Sequence, residues 1–356
     1  RCVMKFKVGI LLVFLSVFEL FAQGEVAVPF VLISPNARAG AMGESGVAMP
    51  YSPSTAMHFN VAGLGYIEDH GNEYGVKSEL PGDFSYASWL PKLKLDDLWY
   101  GYFAGKMAVE DLGVFGASFR YLNYGTVVWT GENQEQLGTY DAKEYEIALA
   151  YSTNLSEKSY LGVAAKFIHS GIVESGLKIK VGTETSDAAS TMALDLGYYH
   201  LLGDLAPFLL DSRLGLSWNN IGPDISYIDN AQADPLPTYG RIGFSSKIME
   251  TEFSQLTFSY DWGLVTQSKT LKGQSLKEIM GRVTHAFGTE FMYDKTFSMR
   301  GGYFHENEHY GGRQFFTVGG GFNLEFIVID FSYLISSGKE EHPLDGTTRF
   351  SFSFLM

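Results

Sequence analysis

The sequence is poor in positive charge and in cysteine. Its 356 residues include 26 Lys and Arg against 40 Asp and Glu, which gives a net charge of −14, and one cysteine, Cys2. The acidic balance argues against a nucleic-acid-binding protein, because such proteins present basic surfaces. A single cysteine excludes an internal disulfide framework, so the fold must be held together by packing and hydrogen bonds.

Long hydrophobic runs are also scarce. The run at residues 8–18 follows a basic start at 4–7 and is followed by the small residue Ala22. A membrane-spanning helix needs about 20 apolar residues, whereas a basic start, a short apolar core and a small-residue exit are typical of a secretory signal peptide. We therefore predict that residues 1–22 are a signal peptide and that the exported chain begins at Gln23, without a cysteine.

Glycine and aromatic side chains are abundant instead. The chain has 40 Gly, 27 Phe and 21 Tyr, a composition that excludes disorder and a long-helix protein. From residue 84 onward, apolar and polar residues alternate; in 326–335, for example, Phe331 lies between Asp330 and Ser332. Such alternation is the pattern of half-buried β-strands. The fourteen predicted strands are 84–90, 97–108, 112–122, 142–152, 159–169, 190–201, 211–218, 239–248, 253–262, 281–288, 296–304, 314–323, 326–335 and 347–355.

The connections between these strands alternate between short and long. Those at 109–111 and 153–158 are short, whereas those at 123–141 and 219–238 are long. Alternation of this kind with an even number of strands is typical of outer-membrane barrels, and only helices and closed barrels can span lipid. We therefore predict an all-β fold, a 14-stranded antiparallel transmembrane β-barrel over residues 84–356. A soluble barrel with a polar outside is the alternative.

The charges on the predicted strands support the transmembrane interpretation. A charged side chain on the lipid face costs ~2–4 kcal/mol at the middle of the bilayer, and the charges here fall on the face opposite the aromatic residues. Their mixed signs predict a lumen crossed by ion pairs rather than a wide pore. The residues assigned to the inner face are Arg120, Glu144, Glu146, Lys166, Asp195, Arg213, Arg241, Asp261, Arg282, Arg300, Asp330 and Arg349.

Residues 23–83 do not alternate and are rich in small residues. A lumen of fourteen strands is too wide to be filled by strand side chains alone, and small residues allow backbone to pack closely on backbone. We therefore predict that this N-terminal segment is a plug in the lumen. The motif residues assigned to the plug are Ser34, Pro35, Asn36, Arg38, Gly40, Met42, Gly43, Gly46 and Asn60.

The plug motif resembles the start of the PorV/PorQ family of outer-membrane proteins. The resemblance rests on residues 33–47 and on the C-terminal segments 300–304, 316–321 and 330–334. It spans nearly the whole exported chain and is closest to PorV. The family usually has Asn-Pro-Ala where this chain has Asn60-Val61-Ala62, which leaves PorV, PorQ and a paralogue open.

The resemblance implies a fold and a role. It implies a fatty-acid-transporter-like (FadL-like) barrel of fourteen strands in the outer membrane of a Gram-negative bacterium, and a part in type IX protein secretion. The implied partners are the type IX translocon barrel, secreted cargo with a C-terminal secretion domain, and the surface attachment machinery, besides outer-membrane lipid. Nucleic acid is not among them. A FadL-like transporter of hydrophobic small molecules is the alternative function.

Two motifs echo chemical sites. The run 305–309 carries two His and two Glu, but a solvated acidic loop explains it better than a metal site. Gly40, Gly43 and Gly46 echo a dinucleotide loop, but no βαβ unit surrounds them, so close packing of the plug is the better explanation. We expect no catalytic residue, no cofactor and no metal. An outer-membrane enzyme is the third and weakest alternative.

The long loops supply the candidate contacts with partners. The segment 123–141 has a net charge of −3, from Glu132, Glu135 and Asp141 with no Lys or Arg. Apolar residues in such loops are either docking contacts, since aromatic anchors dominate protein binding, or packing that caps the barrel mouth. These residues are Val127, Val128, Trp129, Ile221, Ile225, Tyr227 and Ile228.

Overall fold

The computed structural model describes residues 26–72, 77–78, 80–95, 97–130, 136–172, 179–181, 184–227, 233–266, 275–337 and 342–355. The predicted signal peptide lies outside these residues. Fourteen strands close into one antiparallel barrel, in which each strand pairs with its neighbours along the chain and the first strand pairs with the last. The predicted fold is therefore confirmed. A separate hairpin, β6 (Ile179–Val181) with β7 (Glu184–Ser186), lies within one loop.

The barrel strands are β1 (Gly82–Ser88), β2 (Trp99–Val109), β3 (Gly113–Thr130), β4 (Gln136–Ser156), β5 (Ser159–Gly171), β8 (Ala189–Gly203), β9 (Leu210–Ile221), β10 (Tyr239–Glu250), β11 (Ser254–Val265), β12 (Thr284–Tyr293), β13 (Phe297–His305), β14 (Gln314–Asn323), β15 (Ile327–Ser336) and β16 (Thr348–Phe354). The α-helices are α1 (Ala37–Ala41), α2 (Pro53–Phe59), α3 (Gly63–His70) and α4 (Leu276–Gly281), and 3₁₀ turns occur at Pro29–Leu32, Pro91–Leu93 and Glu308–Tyr310. None of the helices in the described ranges is long and apolar enough to cross a membrane.

The wall of the barrel is apolar outside and polar inside. Along β1, side chains are alternately buried and exposed, and large apolar side chains such as Leu149 and Met192 remain 66% and 63% exposed on the outer face. All the charged residues that the sequence assigns to the inner face are buried. An apolar outer wall around a charged interior opposes the soluble-barrel alternative, because a soluble barrel would expose its polar face.

The two ends of the barrel differ. One end carries the short connections, such as 110–112 and 294–296, and we refer to it as the turn end. The other end carries the longer connections, such as 172–188 and 222–238, and is the loop end. By the rule for outer-membrane barrels, the turn end faces the periplasm and the loop end faces the cell exterior.

Two stretches differ from the sequence prediction. The predicted loop 123–141 is mostly strand, because β3 and β4 continue far past their neighbours as a hairpin; Val127 and Val128 are β-branched residues that favour such a strand. The strand predicted from residue 281 begins at Thr284, after the short helix α4. A capping box between Ser275 and Glu278 starts this helix.

Candidate functional site: the plug and the loop end of the barrel

The described part of the plug, residues 26–72, fills the lumen, and almost all of it is buried. It begins at the loop end, where the Ala27 amide donates to the carbonyl oxygen of Pro235 at 3.0 Å. It reaches the turn end at His70, which lines a cavity with residues of the 251–253 turn. Helix α1 packs on β13–β16, α2 on β1–β3, and α3 on β3–β5 and β8.

Asn36 organises the start of α1. Its Oδ1 accepts hydrogen bonds from the Arg38 and Ala39 amides at 2.8 and 3.4 Å, as an N-cap residue does. Its Nδ2 donates to Ser54 Oγ at 3.0 Å, which joins α1 to α2. Ser34 and Pro35 lie buried just before this cap.

Arg38 joins the plug to the barrel wall. Its Nε and Nη2 donate to the two carboxylate oxygens of Glu290 on β12, at 2.9 and 2.7 Å. Arg300 on β13 donates to the same carboxylate at 2.6 Å and to Asp330 on β15 at 2.5 Å. The plug thus enters a buried chain of four charges, and such bidentate pairs fix geometry as well as charge.

Gly40 and Gly43 of the plug motif sit where the plug backbone touches the wall, and Gly46 sits where two parts of the plug touch each other. A Cβ on Gly43, which has a φ of 67°, would lie 2.5 Å from the Phe287 carbonyl oxygen. A Cβ on Gly40 would lie 2.9 Å from Arg349 Nη1, and one on Gly46 would lie 2.5 Å from the Phe59 ring. These approaches leave no room for a side chain, in keeping with the packing explanation of this motif.

Glycines of the barrel face the plug from the other side. They occupy inward positions on eight strands, and in each case an added Cβ would come within 3.0 Å of a plug atom. These residues are Gly116, Gly162, Gly197, Gly215, Gly243, Gly288, Gly302 and Gly319. Plug and wall are therefore matched to each other, and Met42, which is fully buried, packs directly over Gly288.

Asn60 fixes the second half of the plug. Its Nδ2 donates to the Tyr198 carbonyl oxygen on β8 at 2.9 Å and to the Val47 carbonyl oxygen at 3.2 Å. Its Oδ1 accepts from the Ala62 amide at 3.3 Å. Asn60 therefore holds the turn after α2, although Val61 stands where the family that the sequence resembles usually has proline.

Some inward charges bind plug backbone instead of forming ion pairs with other strands. Asp261 on β11 accepts the Gly46 and Val47 amides at 2.7 and 2.9 Å, and Asp83 on β1 accepts the Ser54 amide at 2.7 Å. The sequence reasoning missed Asp83, because it placed the start of the first strand two residues later. Asp83 and Ser85 are two residues apart and so share the inward face of a strand, and this spacing is the sequence signal that could have indicated Asp83.

The opposite side of the lumen carries the predicted ion pairs. Lys166 Nζ lies 2.7 Å from Asp195 and 3.7 Å from Glu146, and Arg120 lies 3.5 Å from Glu146. Arg120 also donates to the carbonyl oxygen of Phe30 in the plug at 3.2 Å. Charges of both signs thus compensate each other within the wall, as the sequence predicted.

The loop-end candidates fall into two groups. Ile225 is 1% exposed and forms a bridge with Asp234, so the described parts of this loop, 222–227 and 233–238, fold inward over the plug. The Tyr227 hydroxyl donates to Ser170 Oγ at 2.9 Å. Ile221 is the last residue of β9 and not part of the loop, which corrects its prediction. These contacts favour the packing explanation for this group.

The second group lies on the long hairpin. Val127 is half-buried, and Val128 is 52% exposed on the outer face. Trp129 belongs to β3, but its side chain lies outside the described residues, as does Ile228. Among the residues that the structure describes, Val128 is thus the candidate that is exposed enough to contact a partner.

The run 305–309 is not a fully solvated loop, which corrects that expectation for Glu306. This carboxylate is 1% exposed and accepts from Arg313 Nε and Nη2 at 2.8 and 3.0 Å. Within the described residues, no three His, Cys, Asp or Glu side chains are grouped as metal ligands would be.

Several cavities flank the plug, and two of them bear on its function. One, of about 30 Å³, lies inside the lumen and is lined by His58, Arg241 and Asp261. The other, of about 500 Å³, opens at the turn end between Tyr66 and Arg213. The fold and this interior define a plugged transmembrane β-barrel.

A family model for the type IX secretion system protein PorV matches residues 23–265, which is more than half of the chain. The chain therefore belongs to the PorV family. No curated protein matches it significantly. Family and fold together point to the outer membrane of a Gram-negative bacterium and to a component of type IX secretion.

Solved structures show the same fold at low sequence identity. The toluene transporter TbuX of Ralstonia pickettii superposes with a TM-score of 0.53 and 14% identity, covering 96% of this chain and 100% of that chain. The toluene transporter TodX of Pseudomonas putida gives a TM-score of 0.50 and 13% identity, covering 95% and 97%. Both are FadL-like barrels, and the likeness concerns the fold alone.

Proposed function

We propose that this protein binds secreted cargo at the cell surface during type IX secretion. In this role it receives proteins carrying a C-terminal secretion domain from the translocon barrel and passes them to the surface attachment machinery. Membership of the PorV family over residues 23–265 carries the proposal. It is a binding role without catalysis.

The filled lumen supports binding over conduction. The plug is tied to the wall through Arg38 and Glu290 and through backbone contacts with Asp261. A barrel whose interior is occupied in this way offers its loop end, not its lumen, to a folded protein. Cargo would therefore be held on the surface-facing loops.

Affinity capture from detergent-solubilised envelopes tests this function. The tagged protein is expected to recover both the translocon barrel and proteins with a C-terminal secretion domain. A tagged outer-membrane barrel of another family, expressed at the same level, is the control. Recovery of neither translocon nor cargo above this control would refute the proposal.

A second candidate is a transporter of hydrophobic small molecules. The cavity of about 500 Å³ at the turn end favours it, and the two structures of similar fold are toluene transporters. The buried charges of Arg120, Lys166 and Asp195 oppose an apolar path. Uptake of a labelled fatty acid into liposomes containing the protein tests this candidate, and uptake equal to that of empty liposomes would exclude it.

A further inference from the structure

The hairpin of β3 and β4 rises beyond its neighbours at the loop end. β2 pairs with β3 only as far as Asn123, and β5 pairs with β4 only from Lys143. Beyond these points, residues 124–130 and 136–142 pair with each other and with no other described strand. We call this pair the ribbon. Seven residues of strand reach about 20 Å past the rim.

The ribbon stands outside the membrane. Just below it, Trp99 and Tyr121 contact each other on the outer face, with ring centroids 5.2 Å apart, and Tyr145 and His169 are 4.8 Å apart. Aromatic residues at such positions mark the boundary between lipid and water. The exposed ribbon residues Thr126, Val128, Thr139 and Asp141 are therefore in water at the cell surface, where a partner can reach them.

The ribbon has two edges that no described strand covers. The Thr126 amide points away from β4, since it donates to Asp97 Oδ2 at 3.1 Å. Main-chain groups of alternate residues point the same way, so those of Val128 face the same edge. By register, Thr139 pairs with Val128 and Asp141 pairs with Thr126, and their main-chain groups face the opposite edge. No described residue hydrogen-bonds to the Val128 or Thr139 main chain at these edges.

Open edges are templates for a further strand. Natural proteins protect long edges with proline, lysine, bulges or covering elements. The ribbon has no proline or lysine in 124–142, and its register shifts lie at its two ends, between Asn123 and Gly125 and between Trp129 and Thr130, so the pairs between them keep regular edges. Its outer face shows the apolar side chain of Val128, which is 52% exposed. A strand that adds here gains main-chain hydrogen bonds and an apolar contact, which is the usual basis of strand addition.

The charge of the ribbon indicates what kind of strand fits. Among the described ribbon residues 124–130 and 136–142, Asp141 is acidic and none is basic, and the Asp97 carboxylate lies beside Thr126 at the foot of the ribbon. Complementary charge favours encounter and selects partners. The fitting occupant is an extended segment that carries Lys or Arg beside apolar residues.

We propose that the ribbon is the cargo-binding element, and that an extended basic segment of the C-terminal secretion domain adds to a ribbon edge as a further strand. This inference rests on the proposed function, because it names where that function takes place. Main-chain pairing also suits a protein with several cargoes, since it depends little on the side chains of the added strand.

Single proline substitutions test the two edges. Val128→Pro and Thr139→Pro each remove one outward N–H and leave the hydrogen bonds inside the ribbon in place. Val128→Thr keeps the N–H and is the matched control. Loss of one or two main-chain hydrogen bonds should lower cargo recovery about tenfold in the variant that alters the paired edge. The proposal would be overturned if both proline variants recovered as much cargo as the unsubstituted protein while their heat-modifiable mobility showed them to be folded.

A second measurement avoids any effect on folding. Val128→Cys is modified after folding with a bulky maleimide, and Glu157→Cys, in a turn-end connection, is modified in the same way as the control. Modification of Val128→Cys should abolish capture of full-length cargo from envelopes, whereas modification of Glu157→Cys should leave it unchanged. If modification leaves capture unchanged, the ribbon is not the site although the proposed function stands. If the unsubstituted protein captures no cargo, the proposed function itself fails.

Discussion

The link between plug and wall through Glu290 predicts a large effect for a very small change. Glu290→Gln keeps the size of the side chain and removes its charge. The carboxylate accepts three hydrogen bonds of 2.6 to 2.9 Å from Arg38 and Arg300, and it is only 2% exposed. Both guanidinium groups would therefore lose the charge of their shared partner in a site that water does not reach.

The expected magnitude follows from this burial. Removing one partner of a buried ion pair costs about 3–5 kcal/mol, so Glu290→Gln should lower the free energy of unfolding by that amount. Arg38→Gln should cost less, about 1.5–3 kcal/mol, because Glu290 keeps its hydrogen bond to Arg300 and Arg300 keeps the one to Asp330. The order of the two variants is thus part of the prediction.

Guanidinium unfolding in lipid vesicles, followed by tryptophan fluorescence, measures these free energies. Glu325→Gln, in the exposed turn before β15, is the matched control and should stay within about 0.5 kcal/mol of the unsubstituted protein. Planar-bilayer recordings should also show current through Glu290→Gln if the weakened plug leaves the lumen. Equal stability of Glu290→Gln and Glu325→Gln would refute the reasoning that this ion pair locks the plug.

Three further predictions concern the fit of the plug and the loop end. Gly302→Val should reduce the yield of folded, heat-modifiable barrel, because a Cβ there would lie 2.7 Å from Gly43 Cα, whereas Gly301→Val, with no atom closer than 3.9 Å, should fold normally; equal yields would contradict the matched packing. On intact cells, a membrane-impermeant maleimide should label Val128→Cys but not Ile225→Cys, since these positions are 52% and 1% exposed; labelling of both would mean that the loop 222–238 does not cap the mouth. The Ser336 amide, and secondarily Lys92, hold the pKa of Asp345 below its usual range. The ionised carboxylate therefore stabilises its loop at pH values above that range, and this contribution is lost as the pH falls through the lowered pKa. Amide exchange at Ser336 should then accelerate in acid, and an Asp345→Asn variant that showed the same acceleration would count against this cause.

The fold could be predicted from the sequence because contact with lipid requires a simple pattern of residues. A wall in lipid must alternate apolar and polar residues and must place charges such as Arg120 and Asp195 inside. These requirements are local, so they can be read along one strand at a time. The strand count, the antiparallel closure and the mixed-sign lumen were therefore predictable. The short helix α4 was not, since its 6 residues are too few for a helical periodicity to show.

The details of the candidate site depend on register, which the sequence does not give. That Arg38 meets Glu290, 252 residues further on, follows only from where α1 sits in the lumen. The same holds for Gly302, whose role depends on its position opposite Gly43. The sequence could indicate that small residues and inward charges exist, but not which of them meet.

The length of β3 and β4 also escaped the sequence reasoning, for a different physical reason. Alternation predicts a strand where one face meets lipid, but the ribbon has left the lipid, and both of its faces meet water or other loops. A strand in that setting is held by pairing with its partner, as Val128 pairs with Thr139. Such pairing does not require apolar and polar residues to alternate along either strand, so the sequence carries no sign of it. A segment that stays paired without lipid on one face retains open edges in water, and this is the property on which strand addition by a partner depends.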